Sequence, residues 1–319
     1  MKKEVIAQRD PKSPISEIFR TLRTNIQFMN TSKGLKTLLV TSTMPEEGKS
    51  WVTANLAVTF AQAGKRVVLI DADMRKGRQH AVFEVNKKPG LSNYLSNIDE
   101  FGRDKEVNIV NYIKETEVDN LFLIPAGDVP PNPSELLVSE KMLNMIEELK
   151  EVFDLIIFDA TPSLLVTDAI ILSRFVDSTI IVAEHKVTKT ENLRKIKTDI
   201  ENVGGKVAGI IVNKEKINSK KYNGQYYYYG EKTTKNQNKQ RGSSLKKIFA
   251  EDIKALKQSS KQEKINEVEN LKKEVIEKSE NTEEKVISSK TNEVIAEINK
   301  YLENEKAKLN ENKGNDGQN

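Results

Sequence analysis

Short, largely apolar runs recur along the first two thirds of the chain, and stretches with helical spacing lie between them. The runs are rich in Val, Ile and Leu and occupy residues 38–40, 66–71, 121–124, 155–159, 178–183 and 208–213. Helices are predicted between them at residues 49–63 and 134–151. Apolar, β-branched runs that alternate with helices are typical of a mostly parallel sheet with helices on both faces. The pattern therefore predicts an α/β fold.

An amphipathic helix is predicted ahead of the first strand, over residues 13–29. Ser13 can cap its first turn. Its apolar face consists of Ile15, Ile18, Phe19, Leu22 and Ile26. Three charged residues, Glu17, Arg20 and Arg23, recur every three positions elsewhere on the helix. Spacing alone indicates a solvated face with a local ion pair.

The composition changes after residue 213. Residues 214–241 hold eight Lys and Arg against two Asp and Glu, and they hold five of the eight tyrosines. These five are Tyr222, Tyr226, Tyr227, Tyr228 and Tyr229. With Ile217 as its single aliphatic residue, this stretch cannot build a core, so we predict a flexible basic linker over residues 214–242. Sparse apolar positions at spacings of three, four and seven then predict a charged helical extension with a frayed end over residues 243–319.

Composition excludes several classes of protein. The chain has no cysteine, so disulfide scaffolds and thiolate metal sites are excluded, and two histidines make no histidine-rich metal site. Net charge is only +4 and is spread along the chain, which does not indicate a nucleic-acid partner. No apolar run approaches the roughly 18–20 residues that span a bilayer, and residues 1–14 lack the apolar core of a secretory signal. We therefore expect a cytoplasmic protein.

A phosphate-binding loop is predicted between the first strand and the following helix. Residues 41–50 read T-S-T-M-P-E-E-G-K-S. In a strand–loop–helix ending in Gly-Lys-Ser, backbone N–H groups hold phosphates, Lys49 reaches the β- and γ-phosphates, and Ser50 ligates Mg²⁺. Thr43 occupies the position of the first glycine of the usual pattern.

Carboxylates end two later strands. Asp71 and Asp73 follow the second strand, and Asp159 ends the fourth. A carboxylate in this position can hold Mg²⁺ directly or through water. Because Asp71 and Asp73 are separated by one residue, one can serve the metal while the other accepts a proton from a hydroxyl substrate. Together with Asn213 they are expected to converge on the edge formed by the carboxyl ends of the strands.

These segments together resemble the bacterial tyrosine kinases of the capsular and exopolysaccharide family. The resemblance covers residues 11–229. It includes a subunit-contact motif, a Walker A loop, the Walker A′ motif, two further family segments and the tyrosine cluster. They lie at residues 17–26, 41–50, 70–75, 130–137, 154–159 and 222–229. The fold that this implies is the deviant P-loop NTPase fold, here over residues 1–213.

The resemblance implies ATP and Mg²⁺ as cofactors and assigns roles to residues. The predicted catalytic residues are Lys49, Asp71, Asp73 and Asp159. The predicted nucleotide-binding residues are Thr43, Met44, Pro45, Glu46, Glu47, Gly48, Lys49, Ser50, Trp51 and Asn213. Predicted metal ligands are Ser50, Asp71 and Asp159. Glu17, Arg20 and Arg23 are predicted to contact a neighbouring subunit, and the five clustered tyrosines to accept phosphate.

The implied activity is ATP-dependent autophosphorylation of the tyrosine cluster between subunits of a ring. The implied partners are a transmembrane adaptor of the polysaccharide co-polymerase type, acting through its cytoplasmic tail, and a cognate phosphotyrosine phosphatase. The adaptor would recruit the kinase to the inner face of the membrane, where it would regulate polysaccharide synthesis or export.

The sequence departs from the family pattern at three places. Glu46 stands where the family usually has glycine, Trp51 where it usually has threonine, and about 90 residues follow the tyrosines. At a further position, Met44 stands where partitioning-type ATPases have a second lysine.

The departures leave two alternatives open, a non-kinase ATPase switch and a catalytically dead assembly module. For the tyrosines the alternatives are an adhesive linker and stacking on single-stranded nucleic acid.

Overall fold

The computed structural model describes residues 5–29, 34–96 and 108–216. Within these residues the strands are β1 (Thr37–Ser42), β2 (Val67–Asp71), β3 (Lys114–Glu115), β4 (Leu121–Ile124), β5 (Leu155–Pro162), β6 (Ser178–Glu184) and β7 (Val207–Asn213). The helices are α1 (Ile6–Arg9), α2 (Pro14–Met29), α3 (Lys49–Gln62), α4 (Gln79–Val82), α5 (Leu91–Leu95), α6 (Pro133–Leu137), α7 (Glu140–Val152), α8 (Asp168–Ser173) and α9 (Thr190–Asn202). A 3₁₀ helix covers Ile109–Tyr112.

The strands form one sheet in the order β3-β4-β2-β5-β1-β6-β7. Every neighbouring pair is parallel except β3 and β4. This confirms the predicted mostly parallel α/β fold and all six predicted strands. Strand β3 has only two residues, both charged, and contains no apolar run. The hydrophobic pattern therefore did not predict it. The carboxyl ends of the parallel strands therefore lie at one edge of the sheet, as predicted.

Helices cover both faces of the sheet. Ile180 and Val182 of β6 belong to a core shared with α1, α2 and α3, whereas Ile181 packs against Ile196 and Ile200 of α9. Successive side chains of a strand point to opposite faces, so these contacts place α9 on the face opposite α3. The strands β1, β2 and β5 are buried along almost their whole length, as expected between two helical layers.

The predicted N-terminal helix is α2. The Oγ atom of Ser13 accepts a hydrogen bond from the backbone N–H of Ser16 at 3.1 Å, which is the expected cap. The apolar face of α2 packs on α3, where the rings of Phe19 and Trp51 meet edge to face with centroids 5.2 Å apart. Trp51 therefore joins the two helices.

The helix predicted over residues 134–151 is two helices, α6 and α7. Two residues separate them, and the second, Ser139, caps α7. Its Oγ accepts a hydrogen bond from the backbone N–H of Met142 at 3.2 Å. A serine that caps a helix has a non-helical backbone, so the helix is interrupted there. The periodicity alone did not reveal this break.

Part of the sequence prediction lies outside the described residues. The five tyrosines, most of the predicted linker and the whole predicted extension fall beyond residue 216. Their boundaries and roles stay predictions. Within the described part of the chain, no helix is both long and apolar enough to cross a membrane.

Candidate functional site

The predicted phosphate-binding loop connects β1 to α3. Gly48, just before α3, has a left-handed backbone with φ of 93°. A Cβ atom at this position would lie 2.1 Å from Nδ2 of Asn213. Only glycine fits both conditions. The same Nδ2 atom donates a hydrogen bond to the backbone oxygen of Glu47 at 2.9 Å, so the end of β7 supports the loop.

The Glu47 carboxylate holds the start of the loop together. It is buried and accepts hydrogen bonds from the backbone N–H of Thr43 at 2.7 Å, from the Thr43 hydroxyl at 2.6 Å and from the backbone N–H of Met44 at 3.0 Å. It also accepts a hydrogen bond from the hydroxyl of Thr188 in the loop after β6. Thr43, at the position of the missing glycine, is thus bound inside the loop. The sequence carried no signal for Thr188.

Lys49 lies among three carboxylates. Its Nζ atom is 3.2 Å from Oδ1 of Asp159, 3.3 Å from Oδ2 of Asp73 and 3.2 Å from Oγ of Ser50. Burial alone would lower the pKa of Lys49, but the attraction of Asp159, Asp73 and Asp71 outweighs it and raises that pKa. The lysine is therefore a fixed positive charge at the mouth of the loop.

Asp71 is fully buried beside Asp159, its partner in the β2–β5 register. Burial, followed by the repulsion of Asp159, raises the pKa of Asp71 well above its ordinary value. Its Oδ2 accepts a hydrogen bond from the backbone N–H of Gln79 at 2.9 Å. Its Oδ1 is buried and accepts no hydrogen bond. A buried carboxyl with a free oxygen is suited to a cation.

Asp73 differs from Asp71 in orientation. Its Oδ1 accepts a hydrogen bond from the backbone N–H of Lys76 at 2.9 Å, and its Oδ2 faces Lys49. Its side chain is 7% exposed, whereas that of Asp159 is wholly buried. Asp73 is thus the more accessible of these two carboxylates.

A second polar cluster joins the loop after β2 to the predicted family segment at residues 130–137. Arg75 donates from Nε to Oδ2 of Asp168 at 2.9 Å, and the Ser134 hydroxyl donates to Oδ1 of Asp168 at 2.5 Å. The hydrogen bond to Asp168 raises the pKa of Arg75. Asp168 was not predicted, because a single aspartate at the start of α8 resembles an ordinary helix-end residue.

The site fits ATP and Mg²⁺. The loop after β1 places backbone N–H groups and Lys49 beside a left-handed glycine, which is the arrangement that cradles phosphates. The free Oδ1 of Asp71 and the Ser50 hydroxyl suit the oxygen preference of Mg²⁺. Among the described residues, no three His, Cys, Asp or Glu side chains form a metal cluster. Mg²⁺ characteristically binds through one or two carboxylates and phosphate oxygens, so such a cluster is not required.

The remaining predicted residues lie around this centre. Met44, Pro45 and Glu46 form the exposed tip of the loop. Glu46 has φ of 68°, in the left-handed region that glycine favours. Glu46 thus adopts the backbone conformation of a glycine, and its exposed carboxylate is accessible to water. Trp51 packs on Phe19.

The predicted subunit-contact residues bond within their own chain. Glu17 and Arg20 form an ion pair at 2.7 Å, which confirms the expected local pair. Arg23 donates to the backbone oxygen of Thr59 at 2.9 Å, so it fastens α2 to α3. All three side chains stay partly exposed.

Comparisons with known proteins agree with this geometry. A family model described as an AAA domain matches residues 46–212. The chain is 42% identical over 221 residues to CapB of Staphylococcus aureus, covering 69% of this chain and 92% of CapB. It is 38% identical over 232 residues to tyrosine-protein kinase YwqD of Bacillus subtilis, covering 73% of this chain and 93% of YwqD.

Solved structures give the same relationship. The chimerical protein CapA2B2 aligns with a TM-score of 0.62 and 35% identity, over 68% of this chain and 92% of that one. The kinase domain of Escherichia coli tyrosine kinase ETK aligns with a TM-score of 0.60 and 30% identity, over 67% of this chain and 82% of that one. The family model's residues 46–212 contain Lys49, Ser50 and the three carboxylates Asp71, Asp73 and Asp159. With the relatives above, this shows that the chain belongs to the family of bacterial tyrosine-protein kinases.

Proposed function

We propose that the chain is an ATP-dependent protein-tyrosine autokinase whose acceptors are Tyr222, Tyr226, Tyr227, Tyr228 and Tyr229 of another subunit. The observation that carries the proposal is the convergence of Lys49 and Ser50 with three strand-end carboxylates at one phosphate-binding loop. The relatives' names, tyrosine-protein kinase in most cases, support the same activity.

Each residue at the loop has a chemical task. Lys49 and the loop N–H groups bind the phosphates of ATP and stabilise the charge that develops on them. Ser50, Asp71 and Asp159 are the residues that would hold Mg²⁺, which neutralises charge on the phosphate oxygens. Asn213 keeps the loop in shape through Glu47.

Asp73 is the proposed general base. A tyrosine hydroxyl has a pKa of about 10, so its attack benefits from a proton acceptor at neutral pH. The phenolic oxygen bonds to the γ-phosphorus of ATP, ADP departs as the leaving group, and the phenolic proton passes to the Asp73 carboxylate. Asp73 suits this task because the backbone N–H of Lys76 holds it and because its side chain is more exposed than that of Asp159.

The biological setting belongs to the proposal as well. The subunits form a ring through the face that carries Glu17, Arg20 and Arg23. A transmembrane adaptor of the polysaccharide co-polymerase type recruits the kinase to the inner face of the membrane, and a phosphotyrosine phosphatase reverses the modification. Each phosphate adds roughly −1.5 to −2 charges to the basic stretch around the tyrosines. The cluster therefore leaves a neighbouring active site once it is multiply phosphorylated, and polysaccharide synthesis or export is regulated by that cycle.

Mixing two complementary variants tests transfer between subunits. One chain carries Lys49→Met and intact tyrosines, and the other carries Phe at all five tyrosines and an intact loop. With Mg-ATP, we expect phosphotyrosine on the Lys49→Met chain only when both are present. ADP release without phosphotyrosine would instead indicate the ATPase switch, and neither product would indicate an inactive assembly module.

A further inference from the structure

Gln79, which the sequence did not predict, lies between the two predicted metal-binding carboxylates Asp71 and Asp159. It is fully buried at the start of α4. Its backbone N–H donates to Oδ2 of Asp71 at 2.9 Å. Its side-chain Nε2 donates to Oδ2 of Asp159 at 2.7 Å and to the backbone oxygen of Ser50 at 3.0 Å. One residue thus bridges both predicted metal-binding carboxylates and the first turn of α3.

The loop before Gln79 is shaped for this approach. A Cβ atom at Gly77 would lie 2.7 Å from Oδ2 of Asp71 and 2.5 Å from Cβ of Ala126. Glycine at this position therefore lets the chain turn back across Asp71 and bring Gln79 to it.

These hydrogen bonds divide the oxygens of the two carboxylates. The Oδ2 atom of each aspartate accepts a hydrogen bond from Gln79. The Oδ1 atom of Asp159 faces Lys49, and the Oδ1 atom of Asp71 accepts no hydrogen bond. The Oε1 atom of Gln79 is also buried without a hydrogen bond. Buried acceptors of this kind are costly unless a cation or a bound water satisfies them.

An amide is the side chain that this position requires. Asp71, Asp73 and Asp159 already surround Lys49, so a further carboxylate would add repulsion. A cationic side chain would compete with Mg²⁺ for the same oxygens. A primary amide donates to Asp159 and carries no charge.

We propose that Gln79 is the positioning residue of the Mg²⁺ site, holding Asp71 and Asp159 by one oxygen each so that Oδ1 of Asp71 stays free for the cation. This inference rests on the proposed function, because it assumes that the site binds a magnesium nucleotide. Removing a residue that orients metal ligands commonly weakens metal affinity about 10–100-fold.

Isothermal titration calorimetry of the full chain with ADP, in EDTA and in saturating Mg²⁺, tests the proposal without catalysis. The ratio of the two affinities measures how strongly the metal contributes. In Gln79→Met, which loses the side-chain hydrogen bonds to Asp159 and Ser50, we expect this ratio to fall by about tenfold or more. A ratio equal to the wild-type ratio in a folded Gln79→Met chain would overturn the proposal.

Gln62→Met is the matched control. The Nε2 atom of Gln62 donates to the backbone oxygen of Ala7 at 3.0 Å and to the side chain of Gln8, and neither contact involves the carboxylates. This variant should keep the wild-type ratio, and an equal fall in both variants would overturn the proposal. A wild-type chain that binds ADP equally with and without Mg²⁺ would overturn the proposed function itself.

If Gln79→Met does not fold, the proposal can be tested on the wild-type chain. In ¹⁵N NMR spectra of the ADP complex, adding Mg²⁺ should shift the side-chain amide resonance of Gln79 and leave that of Gln62 in place. An unshifted Gln79 amide would overturn the proposal.

Discussion

The Nζ atom of Lys49 lies 3.3 Å from Oδ2 of Asp73, so the loop lysine and the proposed general base contact each other directly. The same nitrogen lies 3.2 Å from Asp159. Lys49 therefore has two tasks, because it is the phosphate ligand of the proposed reaction and the counter-charge of the carboxylates around it.

Substituting this lysine should reduce stability as well as activity. Lys49→Met leaves buried carboxylates without their cation, so we expect the free energy of unfolding to fall by about 3–5 kcal/mol. Urea denaturation measures this. Lys195→Met removes an exposed pair with Asp199 and should cost less than about 1 kcal/mol. Equal effects of the two substitutions would contradict the assigned role of Lys49.

The buried Glu47 carboxylate should determine the shape of the loop. Glu47→Gln replaces one acceptor oxygen by an NH₂ group, which faces donors at Thr43, Met44 or Thr188. We expect a loss of about 1–3 kcal/mol in unfolding free energy and weaker ADP binding. The control is Glu46→Gln at the exposed neighbouring position, which should change neither. Weaker ADP binding in Glu46→Gln would mean that this carboxylate reaches the phosphates after all.

The contact of Trp51 with Phe19 should be structural. A double-mutant cycle with Trp51→Leu and Phe19→Leu, followed by urea denaturation, should give a coupling energy of about 0.5–1.5 kcal/mol, as for other edge-to-face pairs. The affinity for ADP should stay at the wild-type value in Trp51→Leu. A zero coupling energy together with a loss of ADP affinity would instead make Trp51 a nucleotide contact, as the sequence predicted.

The buried Asp71 should make stability depend on pH. Its pKa in the folded chain is raised by burial and by Asp159, so the folded state retains a proton that the unfolded state has already lost. Folding stability must therefore fall as pH rises through the raised pKa. Asp71→Asn removes this loss. Its stability advantage over the wild type should therefore grow as pH rises above about 4, the ordinary pKa of an aspartic acid.

Urea denaturation across this pH range checks the prediction. Asp119→Asn, at an exposed position, should follow the wild-type curve. An Asp71→Asn curve parallel to that of the wild type would contradict the raised pKa. Mg²⁺ should also bind Asp71→Asn more weakly, since the proposed carboxylate ligand is gone.

The sequence predicted the sheet and the loop because both depend on local patterns. Apolar runs marked all six long strands, and Gly-Lys-Ser between a strand and a helix marked the phosphate-binding loop. The parallel arrangement then required Asp71 and Asp159 to share an edge, and the register pairs them directly.

The supporting contacts were harder to predict because they are set by tertiary structure. Gln79 follows Asp71 by eight residues and reaches it only because the chain turns back at Gly77. Thr188 donates a hydrogen bond to Glu47, although the two residues are 141 positions apart in the sequence. A single threonine in a loop has no recognisable pattern. The break between α6 and α7 depends on a single serine cap.

The most direct test of the central claim is the intact mass of the full chain after incubation with Mg-ATP, beside a folded Lys49→Met twin. We predict a ladder of added phosphates in the wild type, absent from the twin and mapping to Tyr222 and Tyr226–Tyr229. If the mass stays unmodified both alone and with an adaptor's cytoplasmic tail added, the autokinase proposal is contradicted.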